Sequence, residues 1–135
     1  MVRSLQREVL PIASEPDIQL VRALVRARAT ALRFSAVALT MIVTAASELG
    51  RNTLLHGAGG TMAIETVLDG ERSGLRLTFE DRGPGIADLA LAMTDGYTTK
   101  RGMGLGLSGS KRLVHEFLVE ARDGGGTRVT VLKWA

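Results

Sequence analysis

Apolar positions along the chain follow two rhythms. Ile18, Val21, Leu24 and Val25 lie three or four residues apart, the spacing of one helix face, with Arg22, Arg26 and Arg33 on much of the opposite side. Upstream, residues 7–12 have strand-like content that stops at "PIASEPD". There Ser14, followed three residues later by Asp17, makes a helix-start signature, with Pro16 tolerated in the first turn. Ser35 can cap a second helix, residues 36 to about 56, apolar nearly all round and therefore central, with "HGAGG" ending it. From Thr61 the period changes to two. Met62, Ile64, Thr66 and Leu68 alternate with polar or small residues, "DGERSG" makes a turn, and Leu75, Leu77 and Phe79 alternate with Arg76, Thr78 and Glu80. Residues 87–93 make a short helical candidate. Residues 107–118, "LSGSKRLVHEFL", predict a third long helix burying Leu107, Val114, Phe117 and Leu118; "VEA", the turn "RDGGG" and "TRVTVLKW" then read as two closing strands.

This order, β, α, α, ββ, short α, loop, α, ββ, predicts an α+β fold: a two-layer α/β sandwich with helices on one face of a mixed, mainly antiparallel sheet. A length of 135 residues suits one domain, taken as 1–135, large enough to bury its own core. The most apolar run, residues 36–46, is too short for a bilayer span and continues into polar residues, so it reads as a buried helix. No signal peptide is seen. Zero cysteines exclude disulfides and thiolate metal sites and suit a reducing cytoplasm.

Charge changes the picture little. Net charge is +3 and fourteen of the seventeen basic residues are arginine, with Arg22, Arg26, Arg28 and Arg33 in one stretch. Such a cluster could meet a nucleic acid, an acidic protein or water. Five aromatics without basic interleaving leave little for stacking on single strands, so a nucleic-acid partner is not expected.

Candidate chemistry lies in three places. Asp81 ends an apolar-alternating strand, which would fix its carboxylate at the rim of a cavity, where it can accept a hydrogen bond from an amine such as that of adenine. Gly83 and Gly85 let the chain turn sharply and a flat ring approach, and Pro84 stiffens that turn. The second glycine cluster, Gly102, Gly104 and Gly106 with Leu105 and Leu107, leads into the third predicted helix, so its N–H groups can meet phosphate oxygens as a lid. It matches neither the P-loop nor the Rossmann context. Lys100 and Arg101 just before it supply cations for a terminal phosphate. Third, Glu48, Asn52 and His56 are four apart and share a face of the second helix. Asn52 could hold Mg²⁺ together with nucleotide phosphates, and Glu48 could accept a proton from an attacking hydroxyl or water.

Structural readings stand beside these. "DRGPG" could be an ordinary strand-ending turn, Glu48 could pair with Arg51, His56 reads as a helix-end residue, His115 as a surface histidine, and the helix-1 arginines as a solvated face.

The set "SELGRN" (47–52), "DRGPGI" (81–86), "GMGLGL" (102–107) and "GT" (126–127) resembles, in order and spacing, the N, G1, G2 and final boxes of the GHKL ATPase superfamily with its Bergerat fold. Over its whole length the chain resembles the RsbT-type switch serine/threonine-protein kinases of bacterial stressosomes, relatives of the anti-sigma-factor kinases. The resemblance implies ATP and Mg²⁺: Asn52 as the Mg²⁺ ligand, Glu48 as catalytic base, Asp81 on adenine, Gly83, Gly85 and Ile86 lining its pocket, residues 102–107 closing over the phosphates beside Lys100 and Arg101, and Thr127 supporting Asp81 and adenine through water. It implies STAS-domain substrates, release to a PP2C-type phosphatase, and assemblies such as homodimers. The short lid, with only residues 98–101 between Tyr97 and the glycines, favours the stressosome type over direct sigma-factor binding.

A nucleotide-gated binding module with little catalysis is the alternative expectation. A histidine-kinase catalytic domain is disfavoured by the lack of an upstream helix carrying a phosphoacceptor histidine.

Overall fold

The computed structural model describes residues 1–83 and 109–135. The elements are β1 (Arg3–Ile12), α1 (Glu15–Ala31), α2 (Ala36–Leu55), β2 (Gly60–Asp69), β3 (Arg72–Asp81), β4 (Glu116–Ala121) and β5 (Thr127–Trp134). The five strands form one sheet in the order β1-β2-β3-β5-β4, and each of the four pairings is antiparallel. With α1 and α2 together on one face, this is the predicted two-layer architecture.

The alternation explains the layers. On β2 and β3, Met62 faces Phe79 and Ile64 faces Leu77, and β5 adds Val129 opposite Phe79 and Val131 opposite Leu77. These side chains meet Ile18, Val21 and Val25 of α1 and Ile42, Val43, Ala46 and Leu49 of α2 in one buried core. Burying such side chains stabilises by about 1.5–3 kcal/mol each. The other sheet face carries a smaller cluster, Val67, Leu132 and Trp134, with the Arg72 guanidinium 4.0 Å from the Trp134 ring centre. Beside it, Arg76 grips Glu65 through two hydrogen bonds of 3.1 and 3.2 Å, which hold the Glu65 carboxyl below its usual range.

Helix starts follow the sequence with one twist. Ser35 caps α2, its Oγ accepting from Ala38 N–H at 3.1 Å. At α1 the Ser14 hydroxyl makes no capping bond, and Asp17 instead accepts from the Ala13 N–H at 2.8 Å. The link between the helices puts Arg33 at φ 63°, and Phe34 beyond it is buried, donating its N–H to Ala29 O at 3.0 Å. This is a left-handed helix stop built with arginine where glycine is usual.

Four expectations change. The predicted helix over 107–118 does not extend to its predicted end: helical residues end at Lys111, and Glu116, Phe117 and Leu118 belong to β4. Phe117 and Val119 pair with Val131 and Val129 and pack on the core, while Leu118 is 53% exposed, so the period there is two. Val114 and Leu118, four apart, mimicked a helical face. The arginines of α1 are not all a solvated face: Arg28 is largely buried and donates to Glu8 at 2.6 Å, and Arg22 reaches across to Ser47 Oγ on α2. Nor is α2, apolar nearly all round, buried all round as a central helix would be, since Val37 and Leu55 are exposed and Glu48, Asn52 and His56 are only partly covered. The short helix predicted at 87–93 lies outside the described residues. The first strand is longer than expected, starting at Arg3 with a register shift between Ser4 and Gln6.

Candidate nucleotide site at the end of β3

Asp81 is the last residue of β3. Its Oδ1 accepts the Gly83 N–H at 3.0 Å and the Thr127 N–H at 3.2 Å. Two backbone donors on one oxygen fix the carboxylate plane. No described residue donates to Oδ2. The carboxylate lies against Gly57, just past α2, where a β-carbon would come within 2.4 Å of Asp81 Cγ and 2.6 Å of Oδ2. Gly83 closes on the same spot, since its β-carbon would stand 2.7 Å from the Gly57 Cα. The glycines at 57 and 83 thus make a wall without side chains beside a held acceptor, which suits a flat ring carrying an amine.

The turn between β4 and β5 completes the setting. Gly124, Gly125 and Gly126 all have positive φ. A β-carbon on Gly126 would come within 2.0 Å of the Asp81 carbonyl oxygen, so only glycine lets the turn approach closely enough for Thr127 N–H to reach the carboxylate. Glu80, pointing to the other sheet face, accepts from Arg128 Nε and Nη2 at 3.2 Å each and pairs with Arg122 Nε at 3.1 Å.

On α2, the four-residue spacing of Glu48, Asn52 and His56 puts them on one face. That partly covered face flanks the buried row of Ile42, Ala46, Leu49 and Thr53. Glu48 is 46% exposed and lies 3.5 Å from Arg51, the pairing anticipated as its structural reading. No described residue hydrogen-bonds the Asn52 amide. Backbone N–H groups of His56 and Gly57 donate to Asn52 O at 2.9 and 3.2 Å, closing the helix directly beside Asp81.

The structure therefore brings Asp81, Gly83 and Thr127 together, and brings the end of α2 to them. Gly85, Ile86, Lys100, Arg101, Gly102, Gly104, Leu105, Gly106 and Leu107 lie outside the described residues. Sequence reasoning missed Gly57, Glu80 and Arg122, and named Gly126 only as the first residue of the final box. A cross-strand charge pattern was latent, because Glu120, Arg128 and Glu80 occupy one register row across β4, β5 and β3. The close approach of Gly57 to Asp81 leaves no trace in a linear pattern.

A family model described as histidine kinase-, DNA gyrase B- and HSP90-like ATPase matches residues 38–134. The chain belongs to that ATPase family. It is 43% identical over 123 residues, 91% of this chain and 92% of the relative, to serine/threonine-protein kinase RsbT of Bacillus subtilis (strain 168). It is 30% identical over 102 residues, 70% of each chain, to an anti-sigma F factor of Clostridium novyi (strain NT). These likenesses bear out the motif resemblance and place the chain among RsbT-type serine/threonine-protein kinases, with anti-sigma F factors among its relatives. Two solved structures share the fold. The RsbU and RsbW domains of Rv1364c from Mycobacterium tuberculosis match with a TM-score of 0.63 at 22% identity, covering 96% of this chain and 32% of that one. The catalytic domain of histidine kinase ThkA matches with a TM-score of 0.56 at 18% identity, covering 96% and 98%. Among the described residues no helix is long and apolar enough to cross a membrane.

Proposed function

We propose that this chain, a single domain over 1–135, transfers the γ-phosphoryl group of ATP to a serine or threonine hydroxyl of a STAS-domain protein and thereby switches partners in a bacterial stress response. The observation that carries the reading is the Asp81 carboxylate, with Oδ1 tied to the Gly83 and Thr127 N–H groups and its flank bare of side chains at Gly57. A carboxylate held this way accepts the exocyclic amine of adenine through its other oxygen, which guanine, with a carbonyl there, does not satisfy. By the motif resemblance, Gly83, Gly85 and Ile86 would line the base and Thr127 would support it.

Toward the phosphates, Asn52 would hold Mg²⁺ through its amide oxygen. Among the described residues no three His, Asp or Glu side chains gather into a metal cluster, so most ligands of that ion come from phosphate and water. When bound, the ion neutralises charge on the β- and γ-phosphates. By the motif resemblance, the second glycine cluster, Gly102, Gly104 and Gly106 with Leu105 and Leu107, would offer backbone N–H groups to the same phosphates, and Lys100 and Arg101 would add positive charge. Glu48, one helical turn before Asn52, takes the proton of the acceptor hydroxyl as its oxygen bonds to the γ-phosphorus and ADP leaves. Positioning and charge stabilisation supply most of the rate.

The partners are proteins: a STAS-domain substrate and, after phosphorylation, a PP2C-type phosphatase. Nucleic acid and membrane have no part, the compartment is the cytoplasm, and a homodimer is compatible with the long, partly apolar edge strand β1.

One observation favours a second reading, a nucleotide-gated binding module with little catalysis: Glu48 is engaged by Arg51 rather than poised free. Glu48→Gln separates the two. With the kinase reading, phosphoryl transfer to the partner is abolished while ATP affinity is kept; undiminished partner switching by Glu48→Gln would establish the module instead.

A further inference from the structure

Arg122 lies in the turn after β4, outside the motifs that suggested a nucleotide site. Its guanidinium donates through Nη1 to the Asp81 carbonyl oxygen at 2.5 Å, and its Nε lies 3.1 Å from Glu80 Oε2. The turn is braced around it: Arg122 N–H donates to Gly126 O, and Gly125 N–H donates to Arg122 O, both at 3.1 Å.

The register explains why that carbonyl needs a guanidinium. In the β3–β5 ladder, Ala135 N–H donates to Ser73 O at 2.8 Å. Antiparallel bonded pairs recur every two residues, so 75 with 133, 77 with 131 and 79 with 129 share that phase, and 81 with 127 is the next position in it. An undisturbed ladder would send the Thr127 N–H to the Asp81 carbonyl. It goes instead to the Asp81 carboxylate, and Arg122 takes the carbonyl.

The geometry points to Arg122 as a positioning residue for adenine recognition: by satisfying the Asp81 carbonyl, it releases the Thr127 N–H to orient the Asp81 carboxylate. The assignment rests on the adenine-binding role of Asp81 proposed above. Without Arg122, the carbonyl is left short of a donor at a crowded strand end, and the Thr127 N–H, at 3.2 Å from Oδ1, is the donor in phase to recover it. The carboxylate then keeps only the Gly83 N–H and loses its fixed orientation. Arg128 contacts the same Glu80 oxygen without touching Asp81, so it provides a built-in control.

The test compares ATP with purine riboside triphosphate, which lacks the exocyclic amine, by calorimetry on wild type, Asp81→Asn, Arg122→Ala and Arg128→Ala, with folding followed by circular dichroism. Wild type should prefer ATP, and Asp81→Asn should lose that preference. Arg122→Ala should weaken ATP by about tenfold, one charge-assisted hydrogen bond, and leave the amine-free nucleotide unchanged. Arg128→Ala should keep the preference. A merely structural role would weaken both nucleotides together. Arg122 lines a surface-open cleft of about 390 Å³ with Arg82 and Glu80, so truncation creates no sealed void. Should Arg122→Ala unfold, Arg122→Met keeps the apolar stem and carries the same comparison. An intact preference in the Arg122 variants, an equal loss in Arg128→Ala, or failure of both Arg122 variants to fold would overturn the assignment. If wild type shows no Asp81-dependent preference for ATP, it is the nucleotide-site reading that fails.

Discussion

Replacing Gly57 by alanine adds one methyl group against the Asp81 side chain and changes no charge. Gly57 does not need the left-handed region, so the backbone accepts alanine without strain of its own. The added β-carbon would stand 2.4 Å from Asp81 Cβ and Cγ, where ordinary contact begins near 3.4 Å, so about 1 Å of separation must be found. The α2 end is tied by the Gly57 N–H to Asn52 O, and Gly83 already lies close against the Gly57 backbone. The Asp81 carboxylate is the group that gives way, because its ties are two single hydrogen bonds to Oδ1. Overpacking of this kind costs about 1–3 kcal/mol of stability. Loss of a hydrogen bond to a charged acceptor costs a further ~1.5–3 kcal/mol of binding, roughly tenfold to a hundredfold in the ATP dissociation constant. Thermal unfolding and calorimetric titration with ATP measure the two effects separately. Gly57→Ala binding ATP with wild-type affinity would refute the placement of adenine at this wall.

Two further outcomes follow from other parts of the fold. Arg33, at φ 63° between the helices, is exposed, so Arg33→Gly should stabilise by about 0.5–1 kcal/mol through relief of the left-handed strain; a lower midpoint in urea would show that its side chain matters more than its backbone. His115 accepts the Trp134 N–H on Nδ1 at 3.1 Å, and burial first, then the charges of Lys133 and Arg72 against that of Glu116, lowers its pKa from 6.5. Its folded pKa therefore lies below its unfolded one. The stabilisation is complete above about pH 6.5 and is lost as pH falls through that value toward the folded pKa. The melting temperature should drop between pH 8 and 5.5 in wild type and drop less in His115→Asn; equal drops would remove His115 as the cause.

Periodicity carried most of the fold, and its failures are physical. The β2–β3 hairpin and both long helices were legible because each buries one face, so apolar spacing maps directly onto the core. The stretch from Lys111 to Leu118 was misread because Val114 and Leu118 satisfy a helical spacing while Phe117 and Val119 satisfy a strand. Pairing with Val131 and Val129, set by distant sequence, decided between them. The reach of Arg22 to Ser47 and of Arg28 to Glu8 was hidden for the same reason: long side chains on a polar face choose partners only after the layers assemble. At the site, Asp81, Gly83 and Thr127 could be named from motifs, since a strand-end carboxylate and turn glycines have local signatures. Gly57 and Gly126 act through close approaches to Asp81 from elements far away in sequence, and Arg122 acts through a ladder phase that no linear pattern carries.

The central claim is transfer of phosphate from ATP to a protein hydroxyl. The most direct measurement incubates the purified protein with Mg²⁺ and γ-labelled ATP in soluble extract of its host, beside Asp81→Asn and Glu48→Gln. Label on serine or threonine of one small protein, absent with both variants, is the outcome expected. ATP binding that depends on Asp81, without any labelled protein, would contradict the kinase account.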